Sequence, residues 1–255
     1  MRIPLYQVDA FASSVFRGNP AAICPLESWL PDATLQAIAA ENNLPETAFF
    51  VREGDGYRLR WFTPTVEVEL CGHATLASGF VVLEADGAVT FATRSGALIV
   101  TRRGDALTLD LPALPALPMA PPPTLIEGLG IAPRETLRAS NWLCLLDDEA
   151  AVRAVKPDFA TLATLHPHGV IVTARGNTVD FVSRFFGPSF GIPEDPVTGS
   201  AHCTLTPYWS ARLGKKTLAA QQVSARGGEL TCEDRGARVA LTGHCALYLK
   251  GEIRV

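Results

Sequence analysis

From Arg2 to Ala10 apolar and polar residues alternate, the period of two that marks a strand with one buried face. The same alternation runs over Thr47 to Val51, Tyr57 to Thr63, Ala97 to Thr101 and Ala106 to Leu111, with counterparts in the second half. Two segments break it. "ATLASGFVVLE", Ala74 to Glu84, and the stretch from Ser200 to Leu213 are almost wholly apolar or small. A helix with no polar face belongs inside the protein, so each half is predicted to carry one buried helix wrapped by strands. "PDATLQAIAAENN" instead reads as an outer amphipathic helix with Asp32 as its expected N-cap. The resulting fold class is α+β, with two antiparallel sheets or barrels, each curled round a central helix.

The two halves also repeat in sequence. "RFFGP" at 184–188 echoes "RWFTP" at 60–64, and the seventh residue after each proline, Cys71 or Asp195, opens a glycine-containing segment that enters the buried helix. The offset is 124 residues. Farther on, "RSGALIV" from Arg94 answers "RGGELTC" from Arg226, at an offset of 132. Matches in the same order argue for two copies of one module, the difference in spacing absorbed in loops. Between the copies lies the proline-dense "LPALPALPMAPPPTL", expected to be a stiff extended linker. The module boundaries are placed at 1–115 and 116–255, with the last strand free to pack back on the N-terminal module.

Charge changes this picture only by exclusion. A net charge of −4, with Lys and Arg dispersed, offers no face for a nucleic-acid backbone. No segment approaches a membrane span, and the first residues read as a strand rather than a signal peptide. Six cysteines without an export signal are expected to be reduced thiols, which makes the cytoplasm the expected location. Cys24, Cys144, Cys232 and Cys245 fall in apolar strand patterns, where buried inert thiols are usual.

The chemistry concentrates at the two helix starts. "SRFFGPSFGIPEDPVTGSAHC", Ser183 to Cys203, is far richer than a surface turn needs. A helix start presents unpaired N–H groups and a positive dipole end, so Gly72 and Ala74 beside Cys71, and Gly199 and Ala201, are the expected binding residues for a small acidic substrate in a cleft shared by the modules. Pro193 and Pro196 hold the loop so that Asp195 points in one direction. Adjacent His-Cys side chains on a helix diverge by roughly 100°, so neither Cys71 with His73 nor His202 with Cys203 is expected to hold a metal. The glycine-rich spots lack the lysine and spacing of phosphate loops.

"CGHAT", "GIPEDPVTGSA", "VDAF…FRGNPAA" and "NLPETAFF" together resemble the PhzF-like isomerases of phenazine biosynthesis, relatives of diaminopimelate epimerase, over nearly the whole chain. The resemblance implies a pseudo-symmetric, diaminopimelate-epimerase-like pair of modules that acts without metal or organic cofactor. It also implies a small-molecule substrate, with a homodimer as the expected assembly. In the phenazine isomerase a Glu carries a proton between carbons of a dihydro-hydroxyanthranilate, helped by a His, an Asp and a Ser. By motif position these fall on Glu46, His73, Asp195 and Ser200. Cys71 is a departure, since the related epimerases use a thiol in each half while the second half here offers Asp195.

The residues themselves are compatible with these roles and with plainer ones. Glu46 lies among Leu44, Pro45, Ala48, Phe49 and Phe50, a partly desolvated setting that suits a carboxyl exchanging a proton near neutrality. His73, in the first turn of a buried helix, is expected to be neutral because the dipole disfavours imidazolium. Asp195 and Ser200 read equally as capping residues. Three functions follow: an isomerase moving a proton by Glu46, an epimerase or racemase working between Cys71 and Asp195, and a small-acid-binding protein without turnover.

Overall fold

The structure, a computed structural model, describes all residues 1–255. The elements are β1 (Arg2–Ala10), β2 (Asn19–Leu26), α1 (Asp32–Asn42), β3 (Glu46–Glu53), β4 (Gly56–Phe62), β5 (Glu67–Val68), α2 (Gly72–Val82), β6 (Gly87–Thr93), β7 (Gly96–Arg103) and β8 (Ala106–Pro112). There follow β9 (Leu117–Pro118), α3 (Pro123–Leu129), β10 (Glu135–Arg138), β11 (Trp142–Leu145), α4 (Glu149–Ala154), α5 (Phe159–Ala163), β12 (Val170–Arg175), β13 (Phe181–Gly187), β14 (Ile192–Asp195), α6 (Gly199–Leu213), β15 (Thr217–Gln222), β16 (Gly228–Asp234), β17 (Arg238–Gly243) and β18 (Cys245–Arg254). They form two compact units, residues 1–111 with 241–255, and residues 112–240. β18 pairs antiparallel with β1 along its length, which places the C-terminal strand in the first unit.

The two units share one strand order. In the first, β2 and β3 are parallel, β3 and β4 antiparallel, β4 takes β5 antiparallel and β6 parallel, and β6 and β7 are antiparallel. In the second, β11 to β16 repeat these five pairings in the same sense. Most strand pairs are antiparallel, as expected, with two parallel pairs in each unit. A parallel neighbour requires the chain to cross back, and α2 or α6 makes that crossing between the fourth and fifth strands of the set.

The central helices are buried as their composition predicts. Every residue of α2 from Gly72 to Gly79 is buried, and a Cβ on Gly79 would lie 2.5 Å from Val100 Cγ1, so the helix passes β7 at a distance only glycine permits. Buried hydroxyls in these helices bond back to the preceding turn: Thr75 and Ser78 donate to the carbonyls of Cys71 and Ala74, and Thr206 to that of His202. Pro207 inside α6 cannot bond the Cys203 carbonyl, and the backbone N–H of Leu114 takes its place at 2.9 Å. The proline-dense stretch, expected to be a stiff extended linker, is a structured part of the second unit: Ala113 and Met119 also donate to the carbonyls of Ala237 and Thr136.

The outer helices cover the other sheet faces. α1 packs Leu35, Ile38 and Ala39 on Ile3, Phe49 and Phe62, and each such large side chain, fully buried, contributes about 2 kcal/mol. Its N-cap is Pro31 rather than Asp32, which lies in the first turn and accepts from Arg60 at 2.8 Å. In the second unit, Leu125, Leu129, Val152 and Leu162 from α3, α4 and α5 pack on Val170, Val172 and Phe186. No helix is long and apolar enough to cross a membrane.

One further feature is duplicated. Arg60 on β4 forms a two-pronged ion pair with Glu67 at 2.8 and 2.9 Å and lies over the Phe62 ring. Arg184, at the matching place on β13, does the same with Glu194 at 2.7 and 2.9 Å and with Phe186. Each fork ties a strand to the segment leading into the central helix, with geometry only a guanidinium supplies. This is the physical content of the "RWFTP" and "RFFGP" repeat, and it assigns Glu194 to structure.

Candidate active site

In the first unit three of the expected residues converge. Glu46 is the first residue of β3, placed there after the left-handed Asn43 ends α1 and Pro45 turns the chain into the strand. Cys71 is the N-cap of α2 and His73 sits in its first turn. His73 Nε2 lies 3.2 Å from Glu46 Oε2, and Cys71 Sγ lies 3.5 Å from His73 Nδ1. All three side chains are buried, with exposures of 8% for Glu46, 5% for Cys71 and 4% for His73. The facing Oε2 and Nε2 atoms are out of line for a hydrogen bond, and neither has another partner. Two polar atoms so placed are able to engage a third atom between them.

The metal expectation rested on helical divergence between neighbouring side chains. Cys71, with φ −140° and ψ 109°, has extended backbone and is not part of the helix, so that divergence does not apply. One donor atom each from Glu46, Cys71 and His73 lies within 4.8 Å of the others.

Sequence reasoning missed the fourth member. Asn19 opens β2, is fully buried, and brings its side-chain amide within 3.1 Å of His73 Nδ1. An asparagine entering an otherwise apolar strand, "NPAAICPL", was the available signal, because strands disfavour it unless its amide has work to do. It is held there by the loop from Phe11 to Gly18, where Phe11, Phe16 and Gly18 have positive φ and Asp9 accepts from the Phe16 N–H at 2.8 Å. At Gly18 a Cβ would lie 2.2 Å from the Ala10 carbonyl oxygen, which requires the glycine.

The electrostatics differ from the expected neutral ring. Burial alone lowers the pKa of His73, but Cys71 when ionised and the Glu46 carboxylate outweigh it and hold the imidazole well above its ordinary value. Cys71 is itself pushed up to about 11, by burial first and then by the Glu46 charge. At neutral pH it is therefore a thiol, and the charge that stabilises imidazolium comes from the carboxylate.

The remaining expected residues belong to the second unit. Asp195 ends β14, is 7% exposed, and its Oδ2 accepts from the Thr198 hydroxyl at 2.5 Å. Thr198, not Asp195, is the N-cap of α6 and hence the counterpart of Cys71. The repeat offset grows from 124 at the strands to 127 at the helix starts, the extra residues lying in the turn around Pro188–Phe190, and that shift misaligned the two. Ser200 is half-buried in the first turn of α6, between buried Gly199 and Ala201, as Gly72 and Ala74 flank His73 in α2.

A buried glutamine organises this start. Gln222 Oε1 accepts from the Thr198 N–H at 2.8 Å, and its Nε2 donates to the Asp195 carbonyl at 2.7 Å and to Thr198 Oγ1 at 3.1 Å. His202 Nδ1 lies 2.8 Å from the Thr198 carbonyl, and burial pushes its pKa down to about 4, so the ring is neutral and Nδ1–H is the donor. Neither Gln222 nor His202 was among the expected site residues.

A family model described as phenazine biosynthesis-like protein matches residues 8–251. Over the full length of both chains, the protein is 55% identical to an uncharacterised isomerase of Pseudomonas aeruginosa. The crystal structure of a PhzF-family phenazine biosynthesis protein from Enterococcus faecalis superposes with a TM-score of 0.96 at 48% identity, covering 100% of each chain. The likeness in fold extends to a hydroxyproline epimerase from Agrobacterium vitis, with a TM-score of 0.64 at 11% identity over 99% of this chain and 92% of that one.

Proposed function

The chain belongs to the phenazine biosynthesis-like protein family, and from that premise we propose that it is a cofactor-independent isomerase of a small carboxylic-acid metabolite, with Glu46 as the group that moves the proton. The observation that carries the reading is the buried Glu46–His73 pair, held at 3.2 Å without a hydrogen bond between them. A carbon-bound proton of the substrate passes to Glu46 Oε2, leaving its electron pair in the substrate's conjugated system. His73 hydrogen-bonds the oxygen on which negative charge develops, and its raised pKa favours the donor form. Glu46 then returns the proton to a different carbon on the same face, so that substrate and product are isomers and the enzyme ends as it began.

The free N–H groups at the start of α2 provide a place for the substrate carboxylate, since Cys71 makes no side-chain cap bond there. Asp195 and Ser200 enter the proposal by motif, and replacing them with Asn and Ala is expected to lower kcat/KM. Six free thiols, five of them buried, accord with a reducing, cytoplasmic setting.

The test sets two variants side by side. Glu46→Gln keeps size and removes the base, and turnover is expected to fall by about 10²- to 10⁴-fold. Cys71→Ala is expected to be mild, because a thiol pushed up to about 11 is a poor base at neutral pH. Deuterium from solvent should appear at a new carbon rather than replace hydrogen with inversion at the old one. The epimerase reading requires the reverse ranking, and an unimpaired Glu46→Gln enzyme would sink the isomerase mechanism.

A further inference from the structure

We propose that Glu46, Cys71 and His73 also form a binding site for a single zinc-class divalent cation, and that such a cation inhibits the enzyme by occupying the atoms that handle the proton. Their donor atoms come from three structurally distinct positions: the first residue of β3, the N-cap of α2 and the first turn of α2. One atom from each lies within 4.8 Å of the others. In a tetrahedral zinc site with bonds of about 2.0–2.3 Å, neighbouring donors lie roughly 3.3–3.8 Å apart. The Glu46 Oε2 to His73 Nε2 separation of 3.2 Å is already near that spacing, and Cys71 Sγ, which lies 3.5 Å from His73 Nδ1, has to swing to the Nε2 side of the ring to complete the set.

Burial and pairing favour the same reading. Oε2 and Nε2 face each other without a hydrogen bond and have no other hydrogen-bond partner, so a cation between them replaces the proton of the His73–Glu46 ion pair and breaks no hydrogen bond of the protein. Asn19 Nδ2 lies 3.1 Å from Nδ1, and turning that amide over gives Nδ1–H the acceptor that the second nitrogen of a metal-bound histidine usually has. A thiolate, an imidazole and a carboxylate are a poor set for magnesium or calcium and a good one for zinc, cobalt or cadmium. Three protein donors leave a fourth position for water or the substrate's carboxylate. On binding, the Cys71 S–H bond and the His73 Nε2–H bond break, both protons go to solvent, and sulfur–metal and nitrogen–metal bonds form, with no change of oxidation state.

The site is proposed independently of the catalytic role of Glu46, and its test uses cobalt(II) as an optical probe. The full chain, reduced and without oxygen, is titrated with cobalt(II) chloride and followed for the near-ultraviolet thiolate-to-cobalt band and the visible bands of tetrahedral cobalt. The expected result is one cation per chain, with the band absent in Cys71→Ser and the affinity at least about tenfold weaker in Glu46→Gln. Zinc should displace the cobalt spectrum and stop turnover, and a chelator should restore turnover. The proposal is overturned if the wild-type chain shows no thiolate–cobalt band, or if the band survives Cys71→Ser, which would assign it to another cysteine. If Cys71→Ser fails to fold, Glu46→Gln decides, and undiminished cobalt affinity there is equally fatal. A Glu46→Gln enzyme that turns over normally but has lost cobalt would refute proton transfer by Glu46 and leave the metal site standing.

Discussion

The starts of α2 and α6 are built to one plan and carry opposite electrostatics. Each follows a short strand tied by an Arg–Glu fork, each begins at a glycine, and each has a buried histidine close behind. At α2 the histidine faces a carboxylate and its pKa is raised; at α6 it faces a backbone carbonyl and an aromatic ring, Phe181, and its pKa falls to about 4. The N-cap hydroxyl of Thr198 donates to Asp195, whereas the N-cap thiol of Cys71 lies against the His73 ring with the Glu46 carboxylate close by. A duplicated scaffold thus holds one end able to exchange protons and another fixed by hydrogen bonds. The proposed catalysis by a single carboxylate asks for no second base, while an epimerase working between Cys71 and Asp195 would have to use a carboxylate that accepts from the Thr198 hydroxyl.

The largest effect expected from that contrast is on stability as a function of pH. His202 has a folded pKa below its unfolded value, so the unfolded chain binds the extra proton first. Its contribution is complete above about pH 6.5 and is lost as pH falls toward about 4, amounting to roughly 3 kcal/mol. His73 has the opposite sign. Its raised pKa contributes stability that is fully present below about pH 6.5 and is lost as pH rises through the folded value. Denaturant unfolding of wild type and His202→Asn from pH 4 to 7 should show a difference that shrinks as pH falls. A constant difference would mean that the ring is not held neutral.

A smaller effect is expected at Gln222, whose single side chain serves the Thr198 N–H, the Thr198 hydroxyl and the Asp195 carbonyl. Gln222→Leu keeps the volume and strands those groups, at a cost of about 2–3 kcal/mol in unfolding free energy. Gln222→Glu keeps the volume and, while protonated, both an acceptor and an O–H donor, so at pH 4 it should cost less than Gln222→Leu, and its cost should grow as pH rises and the buried carboxyl ionises. Equal losses in the two at pH 4 would show that hydrogen bonding does not govern the site.

How far these features were legible in sequence depends on their range. Local periodicity located β1 residue for residue, and it found both central helices within two residues of their starts, because an all-apolar helix has no other reading. Glu46 and His73 were legible as a motif, but their meeting was not, since 27 residues and a sheet separate them. Asn19 stood out only as an asparagine in an apolar strand, and neither it nor Gln222 could be assigned a role: a lone amide in a strand says nothing of its partner until the fold supplies one. The proline-rich stretch misled because Pro content reports stiffness, and the carbonyl left open by Pro207, which Leu114 satisfies, lies in another element. Asp195 was matched to Cys71 by counting along the strands, and the turn at Pro188–Phe190 shifts that count by three residues before the helix begins.

The smallest expected effect tests how each histidine is held. His202 is anchored by the main-chain carbonyl of Thr198, which no side-chain substitution removes, whereas His73 is anchored by the side chain of Asn19. An amide is suited to a ring that changes protonation, because its oxygen accepts from the charged ring and its NH₂ donates to the neutral one. Asn19→Ala should cost about 1 kcal/mol of stability, and turnover should fall by roughly tenfold with little change in KM, as expected when positioning of the reacting groups is lost. Asn19→Asp restores a partner but only an acceptor, so it should lock the charged ring and move the alkaline limb of the pH–rate profile upward. The ring nitrogens of His73, followed by ¹⁵N NMR across the same pH range, separate positioning from simple packing. If Asn19→Ala lowers stability but leaves both the His73 titration and turnover unchanged, the amide is only a buried spacer and the two helix starts are less different than their hydrogen bonds imply.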